Sequence, residues 1–151
     1  MNGNEHEGHL YPMSIPVSIR AKLVFVVDDE ANIADTLSLI LRRAGFTVRT
    51  FYDGLAAYEH AQQERPDIVV SDVVMPKMDG FALATKLREQ FPRCRVLLIS
   101  GNAYSSNQLS EWRDSGGPEL EMLAKPVSPK IIIRKLTAMA VAADADGPRP
   151  D

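Results

Sequence analysis

The 151-residue sequence has little of several features that define whole classes of proteins. It contains a single cysteine, Cys94, so an internal disulfide and a site built from several cysteine ligands are both excluded. No apolar run reaches the length of a membrane span, and acidic Glu5 and Glu7 stand where a signal peptide would be basic. The net charge of −3 argues against a surface that coats nucleic acid. We therefore expect a cytoplasmic protein with no membrane and no direct nucleic-acid partner.

Apolar segments of strand length alternate with segments of helical periodicity along most of the chain. Helical periodicity recurs in the stretches between the strands, and Pro66 and Pro92 follow the ends of the second and third helices. Apolar strands that alternate with helices indicate a parallel sheet covered on both faces. We therefore predict an α/β fold with one doubly wound five-stranded sheet. The predicted strands are 23–27, 46–52, 68–71, 95–100 and 120–124, and the predicted helices are 33–44, 55–65, 81–91, 106–115 and 128 to about 142.

The two ends of the chain differ in composition from its middle. Residues 1–20 contain Gly3, Gly8, Pro12 and Pro16, which oppose regular structure. Residues 144–151 are rich in proline, glycine and aspartate and resemble a linker. We predict an irregular N-terminal arm over 1–20, one domain over 21–143 and a flexible tail over 144–151.

Polar residues stand where four of the five predicted strands end. Ligands bind outside the carboxyl ends of the strands in open α/β sheets, so these side chains are expected in one crevice. Three carboxylates there would repel one another unless a cation lay among them, and oxygen ligands favour Mg²⁺. The residues are Asp28 and Asp29 after strand 1, Asp72 after strand 3, Ser100 and Gly101 at strand 4, and Lys125 after strand 5.

A cation, an ammonium group and hydrogen-bond donors are together suited to a phosphoryl group. Asp72 is compatible with three roles at this point, as a metal ligand, a base or a nucleophile that forms an aspartyl phosphate. Each residue alone has an ordinary structural explanation, because Asp28 and Asp29 could cap a helix and Ser100 could form a turn. Four such features at four strand ends favour a functional site.

The combination of motifs resembles the receiver domain of two-component response regulators. The resemblance covers about residues 22–142 and implies the flavodoxin-like fold with strand order 2-1-3-4-5. It implies that Asp72 is the phosphoacceptor and that the protein is a signalling domain rather than an enzyme, with self-catalysed phosphorylation and dephosphorylation. The motifs are Val27-Asp28-Asp29-Glu30, Asp72 with Met75-Pro76 and Asp79-Gly80, Ser100-Gly101, and Lys125-Pro126.

The resemblance also implies a role for each of the other site residues. Asp28, Asp29 and Asp72 would hold Mg²⁺ together with the backbone carbonyl of Val74. Lys125 would pair with a phosphoryl oxygen. Ser100 would turn its hydroxyl toward the phosphate, and the backbone N–H of Gly101 would be accessible to it. The donor would be a phosphohistidine on a histidine kinase or a histidine phosphotransfer protein.

One position departs from the family pattern, and the output surface has to be inferred. Met122 stands three residues before Lys125, where receivers usually carry an aromatic residue that moves with the hydroxyl residue. Three successive isoleucines, 131–133, cover a wide arc of the last helix, so one should point away from the sheet. Trp112 is equally compatible with the core and with a surface. We expect output through a downstream protein or a homodimer on the helix 4–strand 5–helix 5 face.

Three other interpretations are compatible with the same residues. The chain could be a piece of a longer regulator or hybrid kinase rather than a free-standing receiver. It could be a Mg²⁺-dependent phosphohydrolase of a related α/β fold, although Val74 occupies the position where such an enzyme needs a second acid. It could also be a receiver-like domain that only binds partners, although every expected site residue is present.

Overall fold

Five parallel strands form one sheet in the computed structural model, which describes residues 19, 22–101, 104–115 and 120–145. The strand order is β2-β1-β3-β4-β5, and each neighbouring pair is parallel. This confirms the predicted fold class and strand order. The strands are β1 Leu23–Val27, β2 Thr47–Phe51, β3 Ile68–Asp72, β4 Arg95–Ser100 and β5 Leu120–Ala124.

A helix follows each strand, and short polar side chains or glycine mark several helix ends. Asp53 Oδ1 accepts a hydrogen bond from the Ala56 N–H at 2.7 Å, and Asp79 Oδ1 accepts one from the Ala82 N–H at 2.8 Å. Gly45 follows the first helix with φ of 112°, a conformation that glycine adopts at little cost. The helices are α1 Ala31–Arg43, α2 Gly54–Ala61, α3 Gly80–Gln90, α4 Tyr104–Asp114 and α5 Pro129–Ala145.

The core has two layers because side chains alternate between the faces of the sheet. Phe25 and Val27 of β1 face the layer that contains α2 and α3. Val24 and Val26 face the layer that contains α1 and α5. All four side chains are buried. Because both faces of β1 are covered, its sequence is a continuous apolar run rather than an alternation of apolar and polar residues.

Two helices differ in length from the sequence prediction. Helix α2 ends at Ala61 rather than at residue 65, because the backbone tightens into turns in which the Gln63 N–H bonds the His60 carbonyl at 2.9 Å. Helix α5 continues to Ala145, so the predicted end near residue 142 is wrong, and the first two residues of the predicted tail are helical. Asp144 Oδ1 lies 2.7 Å from Lys22 Nζ, which ties this last turn to the start of β1.

The predicted arm and tail fall almost wholly outside the described residues. Ile19 is the only residue of the arm that the structure describes, and it is 5% exposed. The tail from residue 146 onward lies outside the described part. Among the helices that the structure describes, none is both long and apolar enough to cross a bilayer.

Two side chains bear on the predicted partner face. Of the three isoleucines in α5, Ile131 is exposed and Ile132 is buried, which confirms that one points away from the sheet. Trp112 is partly buried and packs against the core layer that contains α2 and α3. Its ring therefore contributes to the core.

Candidate functional site

Strand register brings the carboxylates of β1 and β3 to the same level of the sheet. The two strands are neighbours, and Val27 pairs with Ser71. Asp28 and Asp72 each stand one residue further along and so lie side by side at the carboxyl edge. Asp72 is itself the last residue of β3, one residue later than the predicted strand end. The site therefore lies where the order of the strands reverses, which is the usual ligand position in this architecture.

The three predicted metal-ligating aspartates form one cluster. Carboxylate oxygens of Asp28, Asp29 and Asp72 all lie within 4.8 Å of one another. Asp28 is buried, Asp72 is partly buried and Asp29 is exposed, so the cluster opens to solvent on the side of Asp29. An all-oxygen set of this kind fits a hard cation such as Mg²⁺.

The protein raises the pKa of the Asp28 carboxyl above its ordinary value of 3.8. Burial is the largest cause, and the charges of Asp72 and Asp29 act in the same direction. A hydrogen bond from the Glu30 N–H to Asp28 Oδ1, at 2.9 Å, and the charge of Lys125 oppose the shift. Folding therefore makes the ionised form of Asp28 less favourable than it is in the unfolded chain, and a bound cation would relieve the repulsion.

Lys125 is the basic partner of the cluster. Its Nζ lies 3.2 Å from Asp72 Oδ1. The Lys125 N–H donates to the Ser100 carbonyl at 2.8 Å, which holds the end of β5 against the end of β4. The Val73 N–H also donates to Asp72 Oδ1, at 3.0 Å. Within the described part of the chain, the Lys125 ammonium and the Val73 N–H both approach Oδ1 of the Asp72 carboxylate.

Ser100 and Gly101 lie beside Lys125. Ser100 is the last residue of β4 and is buried, whereas Gly101 is exposed. A Cβ at Gly101 would lie 3.8 Å from the Cβ of Lys125, an ordinary contact. A side chain would therefore fit at this position, so packing does not require glycine there.

The loop after β3 holds the predicted carbonyl ligand. Val73 is buried and Val74 is 59% exposed, so the chain turns outward after the strand. The Gly80 N–H donates to the Val73 carbonyl at 2.8 Å and closes the loop. A Cβ at Gly80 would lie 2.6 Å from the Asp72 carbonyl oxygen, so glycine is required there. The role of the Val74 carbonyl in metal binding remains a prediction.

Sequence reasoning missed two features of this region. The pattern Asp79-Gly80 indicated a turn but not the close approach of Gly80 to the backbone of the last β3 residue. The second feature is a largely apolar groove of about 750 Å³ between α1 and α5, which reaches the site at Asp28, Asp72 and Lys125. The spacing of apolar residues in α1 predicted a buried face, and only the packing of the helices shows that the described residues leave part of this face open.

Comparison with known proteins gives a consistent result. The family model described as "Response regulator receiver domain" matches residues 24–137. The chain is 34% identical over 116 residues to the probable transcriptional regulatory protein TcrX of Mycobacterium tuberculosis, covering 77% of this chain and 48% of that protein. It is 30% identical over 123 residues to the response regulator receiver protein CpdR of Brucella abortus, covering 81% and 99%. The chain thus spans about half the length of TcrX and nearly all of CpdR.

Solved structures show the same architecture. The chemotaxis protein CheY4 of Vibrio cholerae matches with a TM-score of 0.70 and 31% identity, covering 78% of this chain and 98% of that one. A CheY-like receiver domain protein from Methanospirillum hungatei matches with a TM-score of 0.75 and 23% identity, covering 83% and 98%. At that lower identity the second likeness supports the fold alone.

Proposed function

Because the chain belongs to the response regulator receiver domain family, we propose that it accepts a phosphoryl group on Asp72 from a phosphohistidine donor and signals by protein contact. The observation that carries the proposal is the placement of Asp72 within 4.8 Å of two further carboxylates and 3.2 Å from Lys125 Nζ. The donor would be a histidine kinase or a histidine phosphotransfer protein.

The aspartate cluster is the proposed magnesium site. Asp28, Asp29 and Asp72 would supply carboxylate oxygens, and Val74 would supply its backbone carbonyl. Bound Mg²⁺ would offset the negative charge of the carboxylates and of the incoming phosphoryl oxygens. The cluster contains no histidine or cysteine, so its donor set suits Mg²⁺ better than zinc or copper.

Asp72 is the best placed of the three carboxylates to act as the nucleophile. Asp28 is buried and its Oδ1 accepts the Glu30 N–H, whereas Asp29 is exposed. The ammonium of Lys125 and the Val73 N–H both contact Asp72 through Oδ1, which supports Oδ2 as the attacking oxygen. In the proposed step Oδ2 forms a bond to phosphorus as the P–N bond of phosphohistidine breaks. The imidazole leaves with the electron pair and takes a proton from solvent.

Three groups of the chain would stabilise the transferred phosphoryl. Lys125 would pair with one phosphoryl oxygen once the carboxylate it contacts has reacted. The hydroxyl of Ser100 and the N–H of Gly101 would donate hydrogen bonds to others. Donors of this kind act in catalysis by meeting charge where it develops, without needing to reorganise.

The proposed output surface is the face formed by α4, β5 and α5. Helix α5 carries the exposed apolar side chains Ile131 and Val141, which would add contact area for a downstream protein or a second copy of the chain. Met122 of β5 is partly buried and packs against the core layer that contains α2 and α3. Its thioether lacks the hydroxyl of a tyrosine, so we propose that signalling here does not use a phenol that moves between buried and exposed positions.

Incubation with Mg²⁺ and acetyl phosphate, followed by intact mass measurement, tests the proposal. We expect one hydroxylamine-labile phosphate per chain in the wild type, none in Asp72→Asn, and none when Mg²⁺ is removed with EDTA. Asp114→Asn, an exposed aspartate on α4, is the matched control and should be phosphorylated like the wild type.

Each contrary result has a definite meaning. A wild-type chain that stays unmodified would indicate a domain that only binds partners. Phosphate retained in Asp72→Asn would place the acceptor elsewhere. Steady turnover of p-nitrophenyl phosphate, lost in Asp72→Asn, would indicate a phosphohydrolase instead.

A further inference from the structure

The loop between β3 and α3 contains a backbone conformation that is unusual for its residue. Lys77 has φ of 70°, and it is the only residue other than glycine with a positive φ in the described part of the chain. The Met78 N–H donates to the Pro76 carbonyl at 2.7 Å and closes a three-residue turn around Lys77. A turn of this kind with a positive φ at its central residue is rare and strained. Such strain persists only where the surrounding structure enforces it.

The methionines on either side of this turn are held in the core layer that contains α2 and α3. Met75 is buried in the cluster of that layer, and the Ser71 hydroxyl lies 4.0 Å from its sulfur. Met78 is partly buried and packs against the same cluster. A Cβ at Gly54, the first residue of α2, would lie 3.0 Å from the Met78 carbonyl oxygen and 3.2 Å from the Met78 Cβ, so Met78 lies directly against the helix backbone. The loop is therefore fixed at two nearby points.

Only Pro76 and Lys77 lie between these two fixed points, and both are exposed. The ring of Pro76 fixes its own φ at about −65°, and it holds the preceding residue, Met75, in extended backbone. The reversal that brings the chain back to the core at Met78 therefore falls on Lys77. A positive φ is unfavourable for a residue with a Cβ, because the Cβ approaches a neighbouring carbonyl oxygen, whereas glycine adopts it at little cost.

The residue whose carbonyl is proposed as a magnesium ligand lies in the same loop. Val74 follows Val73, whose N–H and carbonyl are both hydrogen-bonded, and precedes the buried Met75. The direction of the Val74 carbonyl therefore depends on where these two neighbours are held. Met75 keeps its buried position only while the turn at Lys77 allows Met78 to reach the core as well.

We propose that Lys77 is a positioning residue for the magnesium site, and that it acts through its left-handed backbone rather than through its ammonium group. The inference rests on the function proposed above, because Val74 is a metal ligand only in that proposal. Lys77 itself contacts neither the metal nor the phosphoryl group in this scheme. Its backbone keeps the loop closed, and the closed loop holds the Val74 carbonyl in place for the metal.

Substitutions at position 77 separate the effect of the backbone from that of the charge. Lys77→Gly and Lys77→Asn remove the ammonium group and introduce residues that adopt a positive φ readily. Lys77→Val removes the same charge but introduces a β-branched residue, for which a positive φ is strongly disfavoured. Calorimetric titration with Mg²⁺ should give wild-type affinity for Lys77→Gly and Lys77→Asn. The affinity of Lys77→Val should be roughly tenfold weaker, the order expected when a group that orients a metal ligand is changed.

A second variant tests the other fixed point of the loop. Gly54→Ala places a Cβ against the backbone of Met78 and should weaken Mg²⁺ binding in the same direction as Lys77→Val. Thermal unfolding in EDTA shows whether each variant is folded, and phosphorylation by acetyl phosphate should return to the wild-type rate at saturating Mg²⁺. A merely structural role would lower the Tm without this dependence on the Mg²⁺ concentration. If Lys77→Val does not fold, Gly54→Ala decides the outcome.

Two outcomes would overturn the inference alone. Wild-type Mg²⁺ affinity in every folded variant would show that the turn does not position a ligand, and it would leave the proposed magnesium site intact. An equal loss of affinity in Lys77→Gly, Lys77→Asn and Lys77→Val would assign the effect to the ammonium group instead of the backbone. A wild-type chain that binds no Mg²⁺ would contradict the proposed function, and the inference would fall with it.

Discussion

Asp28→Asn should stabilise the protein when Mg²⁺ is absent. The Asp28 carboxylate is 7% exposed and lies within 4.8 Å of two other carboxylates, and burial and these charges raise its pKa, so ionisation is less favourable in the folded than in the unfolded chain. Asparagine removes the charge and keeps an Oδ1 acceptor for the Glu30 N–H. The substitution therefore removes repulsion without leaving the start of α1 unsatisfied.

The separation of the carboxylates sets the size of the effect. Two unit charges 4.8 Å apart repel by about 3.5 kcal/mol at an effective dielectric constant of 20 and by about 0.9 kcal/mol in bulk water. Lys125 offsets part of this repulsion. We expect a net gain of about 1–3 kcal/mol in the free energy of unfolding at neutral pH, or roughly 2–4 °C in Tm per kcal/mol.

The gain has a definite pH dependence. Folding raises the pKa of the Asp28 carboxyl above its unfolded value of 3.8. The contribution of this group to stability is therefore fully present below pH 3.8 and is lost as pH rises through its pKa in the folded protein. The advantage of Asp28→Asn over the wild type should therefore appear as pH rises through the folded pKa of Asp28 and vanish below 3.8. Thermal unfolding in EDTA across this range measures it.

Added Mg²⁺ should reverse the order of the two proteins. A ligand that binds only the folded state raises its stability, and the wild type keeps the full carboxylate set. Asp114→Asn is the charge-matched control and should match the wild type under both conditions. A lower Tm for Asp28→Asn in EDTA, or an advantage that persists unchanged below pH 3.8, would refute the electrostatic reasoning.

Three further substitutions test separate parts of the structure. Gly80→Ala would place a Cβ 2.6 Å from a backbone oxygen and should lower the free energy of unfolding by about 1–3 kcal/mol. Gly101→Ala is its control, because a Cβ there makes only ordinary contacts. Equal denaturation midpoints for the two variants would contradict the packing argument. Glu64→Gln breaks a surface ion pair with Arg49 at 2.8 Å and should cost less than about 1 kcal/mol after solvent screening. Because folding lowers the pKa of Glu64 from 4.5, the stability that the ionised Glu64 contributes is present above pH 4.5 and is lost as pH falls through the folded pKa. A destabilisation of Glu64→Gln that persists in acid would contradict this reasoning. Met122→Tyr should alter how dimerisation or target binding responds to beryllofluoride, and unchanged binding curves would show that the position has no switching role.

Local patterns in the sequence were enough to predict the fold class. Apolar runs and helical spacing are properties of short segments, so the alternation of elements and the two-sided sheet followed from them. The ends of helices and strands were predicted less accurately, because they depend on contacts between residues that are far apart in the chain. The pairing of Lys22 with Asp144 near the end of α5 joins residues that are far apart in the chain, and no local pattern shows it.

The site residues were likewise predictable as a set, because the topology of a parallel sheet brings strand ends together. Their separations were not. The contact of Lys125 with Asp72 depends on the register of β3, β4 and β5. The raised pKa of Asp28 depends on how deeply the end of β1 is buried.

The sequence by itself determined the alternation of five strands with helices and the placement of three aspartates and a lysine at strand ends, because these follow from periodicity and from the residues that end each strand. The strand order was implied by the resemblance of these motifs to receiver domains. Only the tertiary structure decided three further properties. These are the unequal environments of the three carboxylates, the need for glycine at position 80 and the groove that the described residues leave open between α1 and α5. Each depends on distances between elements that are remote in sequence, and side-chain packing sets those distances rather than any local pattern.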